Sequence, residues 1–191
     1  KPTAVPLTSG DITNGIITTD KIADDAISAA KLASGVGGKV LQVVQDTKTD
    51  TFSSTTNSNV DITGLSVSIT PASSSNKIFV TTSIMAAGSG SRALQCTLLR
   101  DSTVILQGDA ASNRTRATFG SNPDLSDAQS VMQCVALNYL DSPSSTSSLT
   151  YKVQISSKDG GTVYVNRDVS DSDNDEKTRG ASTITVMEVA G

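Results

Sequence analysis

The sequence predicts an all-β protein, a jelly-roll β-sandwich head preceded by an extended, repeat-containing N-terminal stalk. From Lys39 onward, short runs of Val, Ile, Leu and Thr are separated by clusters of Ser, Thr, Gly, Asn and Asp, the composition of a β domain with many turns. Nine such runs and a shorter tenth recur along the chain, as in a sandwich or jelly roll. The first forty residues differ: large aliphatic side chains recur every five positions, at Leu7, Ile12, Ile17, Ile22, Ile27 and Leu32.

That five-residue period defines the stalk. In an α-helix a five-residue step swings each apolar side chain about 140° round the axis, and in a strand the odd step throws successive ones to opposite faces. One chain cannot gather these residues into a core, whereas identical neighbours wrapped around a common axis can cover both sides. Residues 1–38 therefore read as one strand of a multi-chain stalk, with the six aliphatics as its oligomer interface. A ten-residue grain supports this, since ITTDKIADDA is followed directly by ISAAKLASGV, with Ile17 matching Ile27, Lys21 matching Lys31 and Ile22 matching Leu32. The alternative is one amphipathic helix over TDKIADDAISAAKLAS, capped by Thr19, with Ile22, Ala26, Ala29, Ala30 and Ala33 on one side. Its alanine stripe is too thin for a monomer core and also calls for a partner.

Glycine punctuation at Gly35-Val36-Gly37-Gly38 ends the five-residue pattern and places a domain boundary there, with a head over 39–191. At about 150 residues the head is long enough for one hydrophobic core. The expected strands cover residues 39–45, 60–62, 65–70, 78–86, 93–100, 104–107, 131–140, 150–156 and 182–189, with a short one at 163–165. In 65–70, Leu65, Val67 and Ile69 alternate with Ser66, Ser68 and Thr70, a strand with one face in the core and one in water. Three other strands are apolar on both faces. Ile78, Val80 and Ile84 oppose Phe79 and Met85; Ile184 and Val186 oppose Met187 and Val189; Val40 and Val44 oppose Leu41 and Val43. In a two-sheet sandwich the second apolar face must lie against something else, so Phe79, Met85, Met187 and Val189 are candidates for a head oligomer interface.

The chemistry available is narrow. A formal charge of −4 with scattered basic residues argues against nucleic acid as a partner. No apolar run is long enough to cross a bilayer, and no stretch has the order of a signal peptide. The chain starts at Lys1 rather than Met, as a processed or partial product does. With no histidine, Ser-His-Asp, Cys-His and histidine-ligated metal sites are excluded. Paired carboxylates of the glycosidase kind remain open, but the acidic residues cluster in turns and there is no tryptophan platform for sugar rings. The expectation is no enzyme and no cofactor. Cys96 and Cys134 read as small buried thiols, with a disulfide as the alternative. In DVSDSDNDE, Asp171, Asp173 and Asp175 alternate as in the opening of a calcium loop. Glu176 stands where such a loop needs glycine and Ser182 where it needs glutamate, so a solvated acidic loop is the reading and the metal only a candidate. The longest segment without strand patterning, 108–129, carries Arg114, Arg116 and Phe119, a candidate ligand-binding loop or an ordinary crossover.

The segments GKVLQVVQ, GLSVSITPASSSNKIFV, YLDSPSSTSSLTYKVQ, VYVNRD and the closing ASTITVMEVAG resemble the C-terminal head of bacteriophage fibre proteins of the marine and cyanophage kind. Their order also resembles the trimeric jelly rolls of the complement and tumour-necrosis-factor type, over residues 38–191, and ITTDKIADDAISAAKLASG resembles the short repeats before such heads. The resemblance implies a homotrimer with the first and last strands on the three-fold axis. It further implies a virion fibre or appendage, joined to other virion proteins through the N-terminal segment and binding a host-surface glycan or protein. The alternatives are a secreted or cell-surface carbohydrate-binding module and a cellular filament subunit.

Overall fold

The computed structural model describes residues 39–89, 94–121, 132–157 and 160–191, with residues 18, 20, 22–23 and 26–27 of the N-terminal segment. The chain divides into two compact units, Lys1–Lys39 and Val40–Gly191. In the first, Ile22 and Ile27 are exposed, and the Ala26 amide donates to the Ala23 carbonyl at 3.0 Å. Leu7, Ile12, Ile17 and Leu32 lie outside the described residues.

The second unit is all-β. Its strands are β1 (Val40–Lys48), β2 (Phe52–Ser54), β3 (Val60–Ile69), β4 (Lys77–Gly88), β5 (Leu94–Arg100), β6 (Thr103–Leu106), β7 (Phe119–Ser121), β8 (Gln133–Asp141), β9 (Leu149–Ser157), β10 (Val163–Val165) and β11 (Ser182–Val189). They form two antiparallel sheets. In the first, β11 lies between β1 and β4, β10 continues along the same edge of β4 and carries β2, and β8 takes the opposite edge of β4. The second has the order β3-β9-β5-β6, with β7 also on β5. Successive long strands cross from sheet to sheet, from β3 to β4 to β5 and from β8 to β9 to β11, as in a jelly roll.

Alternation builds the core between the sheets. Ile78, Val80 and Ile84 of β4, Val135 of β8, and Ile184 and Val186 of β11 meet Leu65 of β3, Leu98 of β5, and Tyr151, Val153 and Ile155 of β9, all fully buried. Branched aliphatics suit these positions because their stiff side chains pack on a pleated surface. Two three-residue strands, β2 and β7, carry too few residues for a periodic signal and go unread in the sequence. The break expected between 60–62 and 65–70 is instead a bulge within β3. Asp61 pairs with Gln154 and Ser66 with Lys152, leaving four residues opposite Val153 alone, and Gly64 takes the left-handed conformation there, with φ of 76°.

Buried polar groups close the sandwich at its edges. The Glu188 carboxylate points inward and is 1% exposed. It accepts from Asn76 Nδ2 at 2.5 Å, Gln42 Nε2 at 2.6 Å and the Ala72 amide at 2.7 Å. It thereby ties β11 and β1 to the β3–β4 connection. Asp46 Oδ2 accepts the Ser66 amide of β3 at 3.0 Å, so one sheet edge caps another. On the opposite side, Asp141 Oδ2 accepts from Arg100 at 2.6 Å and from the Tyr151 hydroxyl at 2.7 Å. Burial and that bond to Asp141 hold the phenol proton far above its usual range. A third knot centres on Asn166, fully buried with φ of 62°. Its Nδ2 donates to the Lys48 and Asp50 carbonyls at 2.8 and 2.9 Å, and its Oδ1 accepts from Ser182 at 2.5 Å.

Burial alone would raise the Glu188 pKa, but the donors from Asn76, Gln42 and the 72–73 backbone outweigh it and leave the carboxyl below its ordinary value. Because the folded-state pKa is depressed, the carboxylate stabilises the fold above the unfolded value of about 4.5, and this contribution is lost as pH falls through the folded value. Glu188→Ala is expected to cost about 2–3 kcal/mol at neutral pH, since it strands buried donors. Denaturant unfolding from pH 7 to pH 3 checks both points, because the gap between the parent and Glu188→Gln should narrow as the medium is acidified.

Candidate functional site: the outer face of the first sheet

The same alternation that fills the core leaves a second face on β1, β11, β4 and β8. The strand registers align Val43, Met187, Phe79 and Leu140 in one row across all four strands. At about 4.8 Å between strands, the row is about 14 Å long. Val189 follows Met187 along β11, and Val40 and Leu41 lie at the irregularity where β1 begins. These side chains are open. Val43 is 56% exposed, Leu140 52% and Leu41 49%. Single exposed aliphatics are common on protein surfaces, whereas here an apolar row runs continuously over four strands and makes this face the candidate site.

On the Gln45 side of that row the face is polar and uncharged, whereas on the other side Lys77 of β4 stands opposite Val189 and donates to Ser142 Oγ at 2.8 Å. The first uncharged row carries Gln45, Thr185, Thr81 and Asn138, and the one after it Thr47, Thr183, Ser83 and Ala136. Gln45 Nε2 donates to Thr185 Oγ1 at 2.7 Å. None of these residues is ionisable, although charged residues make up 18% of the chain. These two rows can meet copies of themselves without like-charge repulsion.

The structure brings Phe79, Met187 and Val189 together, each half-buried, and sets Met85 apart. Met85 lies six positions along β4 from Phe79, and its outer side is covered by its own chain. A Cβ on Gly180 would stand 2.8 Å from Met85 Cβ. Met85 is thus packed beneath the segment leading to β11 and does not belong to the open apolar row. Leu140 escaped the sequence reading, yet alternation from Val135 and Leu137 already turns it outward. Cys134 also corrects an expectation: Cys96 is buried, with its thiol pushed up to about 12 by burial, but Cys134 is exposed on the outer face, 3.3 Å from Ser83 Oγ. Both thiols are free, on different sheets.

The candidate binding loop separates into unlike parts. Phe119 begins β7, pairs with Cys96 and packs against the core. Arg116 is exposed, but its Nε donates to the Gly108 carbonyl at 2.7 Å and braces the loop. Arg114 is exposed at a turn whose amide donates to the Ala111 carbonyl. Of the acidic run, Asp171 is clamped between Arg167 at 3.1 Å and Arg179 at 2.8 Å. Asp173 and Asp175 are exposed, and among the described residues no three acidic or thiol groups come within reach of one cation. Asp171 thus sits in an ion-paired turn, ordered in part by Asp168, whose Oδ1 accepts the Asp171 amide at 2.7 Å. Arg167 also stacks 4.5 Å above the Tyr164 ring.

No protein-family model matches the chain, and no curated protein matches it. Among solved structures, the crystal structure of the infectious bursal disease virus VP2 subviral particle is similar at 17% identity and a TM-score of 0.40. The match covers 78% of this chain and 37% of that one, so the chain spans little more than a third of its length.

The two faces of β11 give opposite expectations for one kind of substitution. Ile184→Asp places a charge in the core at a cost of several kcal/mol and should abolish the cooperative β-structure. Met187→Asp should leave the protomer's β-structure cooperatively folded. Circular dichroism with denaturant titration distinguishes them, and equal damage from both would reverse the assignment of faces.

Proposed function

We propose that the protein is a non-enzymatic structural subunit of a virion fibre or appendage, a homotrimer whose N-terminal segment entwines with its copies. The observation that carries this is the apolar row through the first and last strands of the head, flanked on one side by two rows of uncharged residues. A sheet face of this kind is covered by a like surface when protomers associate. The five-residue period upstream of β1 independently calls for several chains about one axis. The N-terminal segment then attaches to other virion proteins, and the head contacts a host-surface glycan or protein, with Arg114 exposed in the loop following β6. The absence of histidine from the sequence and the engagement of Glu188 and Asp141 in structural hydrogen bonds agree with a non-enzymatic role.

Mass in solution tests the assembly. The intact chain is expected to sediment as a discrete trimer at micromolar concentration, and Met187→Asp to shift it to monomer. A stable parent monomer would overturn the proposal, and open-ended polymerisation would favour a filament subunit instead.

A further inference from the structure

The β3 bulge lies on the second sheet, away from the face described above, and opens a cleft of about 340 Å³. Its lining includes Asp61, Thr63, Gly64, Ser66, Thr150 and Lys152. Ile62 and Leu65 dip into the core on either side, so Thr63 and Gly64 are lifted out of the ladder where the register gives them no partner on β9. Bulges re-aim side chains and concentrate at binding sites.

The groups around this opening form a matched set. Asp61 Oδ2 accepts from Lys152 Nζ at 2.8 Å, and Oδ1 accepts from Gln154 Nε2 at 2.8 Å. The carboxylate is half-exposed, so it retains lone pairs facing solvent. Ser68 and Thr150 hydroxyls bond to each other at 2.9 Å, whereas the hydroxyls of Thr63 and Ser66 have no hydrogen-bond partner among the described residues. One carboxylate and one ammonium cancel, so the cleft presents strong acceptors and donors side by side with no net charge. Its volume is at the lower end for small-molecule sites, about 300 to 1,000 Å³.

We propose that the β3-bulge cleft is a binding subsite for a neutral, hydroxyl-rich ligand, one pyranose unit of a glycan. Adjacent hydroxyls of a sugar each donate and accept. They can donate to Asp61 and accept from Lys152 and Gln154 at once, which neither a simple anion nor a simple cation can do. With no aromatic side chain in the lining, affinity rests on hydrogen bonds exchanged with water and is expected to be millimolar, useful through several heads acting together. The cleft, which gives a place to the glycan contact proposed above and rests on that reading, is built from one protomer alone.

The test is a titration of the full chain with the methyl glycosides of glucose, galactose and mannose, followed by amide chemical shifts. At least one glycoside is expected to give saturable shifts at residues 61–66 and at the Gln154 side-chain amide. Asp61→Asn should weaken it about tenfold or more while the thermal midpoint is kept, because Asp61 is a surface residue. Lys152→Met should weaken it similarly, and this second variant decides the matter if Asp61→Asn fails to fold. The anionic N-acetylneuraminic acid should bind less well than the neutral glycoside. The proposal is overturned by absence of saturable shifts at the cleft with all three glycosides, by undiminished binding in folded variants, or by tighter binding of the anionic sugar.

Discussion

The pairing of β11 with β1 on one edge and β4 on the other is the contact from which the rest of the head follows. It joins the two ends of the head sequence through eight and seven registered residue pairs. Because side chains alternate along a strand, that register determines which half of each strand is core and which is surface. Ile184, Val186 and Glu188 go inward, and Met187 and Val189 go outward. A slip of one residue would send the aliphatics to solvent and drive methionine and threonine into the core, so burial of Ile184 and Val186 enforces the register.

Glu188 belongs to this same constraint. An inward-facing carboxylate on a core strand would be costly if unpaired. Here it lies at the end of β11, where the β3–β4 turn supplies a backbone amide and Asn76, and β1 supplies Gln42. Asn166 does the same at the other end, spending both side-chain groups on Lys48, Asp50 and Ser182. Polar knots of this kind fasten the sandwich at its margins, where the aliphatic core thins out and backbone groups would otherwise lack partners.

With the inner faces committed to the core, the outer faces are available for interaction, and the two sheets differ there. The first offers one apolar row flanked by uncharged polar rows, with Lys77 beside Val189 at its margin. The second is polar and charged, and breaks its ladder at Gly64 to form a cleft. Both outer faces trace back to the residues that alternate out of phase with the core.

The sequence by itself determined the all-β class, most of the strands and the two-faced character of β1, β4 and β11, because all of these depend on a period of two read over six or more residues. It also disclosed Phe79, Met187 and Val189 as surplus to the core. Only the tertiary structure decided what depended on neighbours distant in the chain. Met85 has the same parity as Phe79 but is roofed by Gly180, ninety-five positions later. Phe119 stands in polar sequence but is recruited to the core by pairing with Cys96. Asp171 sits in an acidic run yet is neutralised by Arg167 and Arg179, and a gap between two expected strands became a bulge with a cleft. Alternation records which way a side chain points, while the atoms it meets are set by strand order and loop path, which local periodicity does not encode.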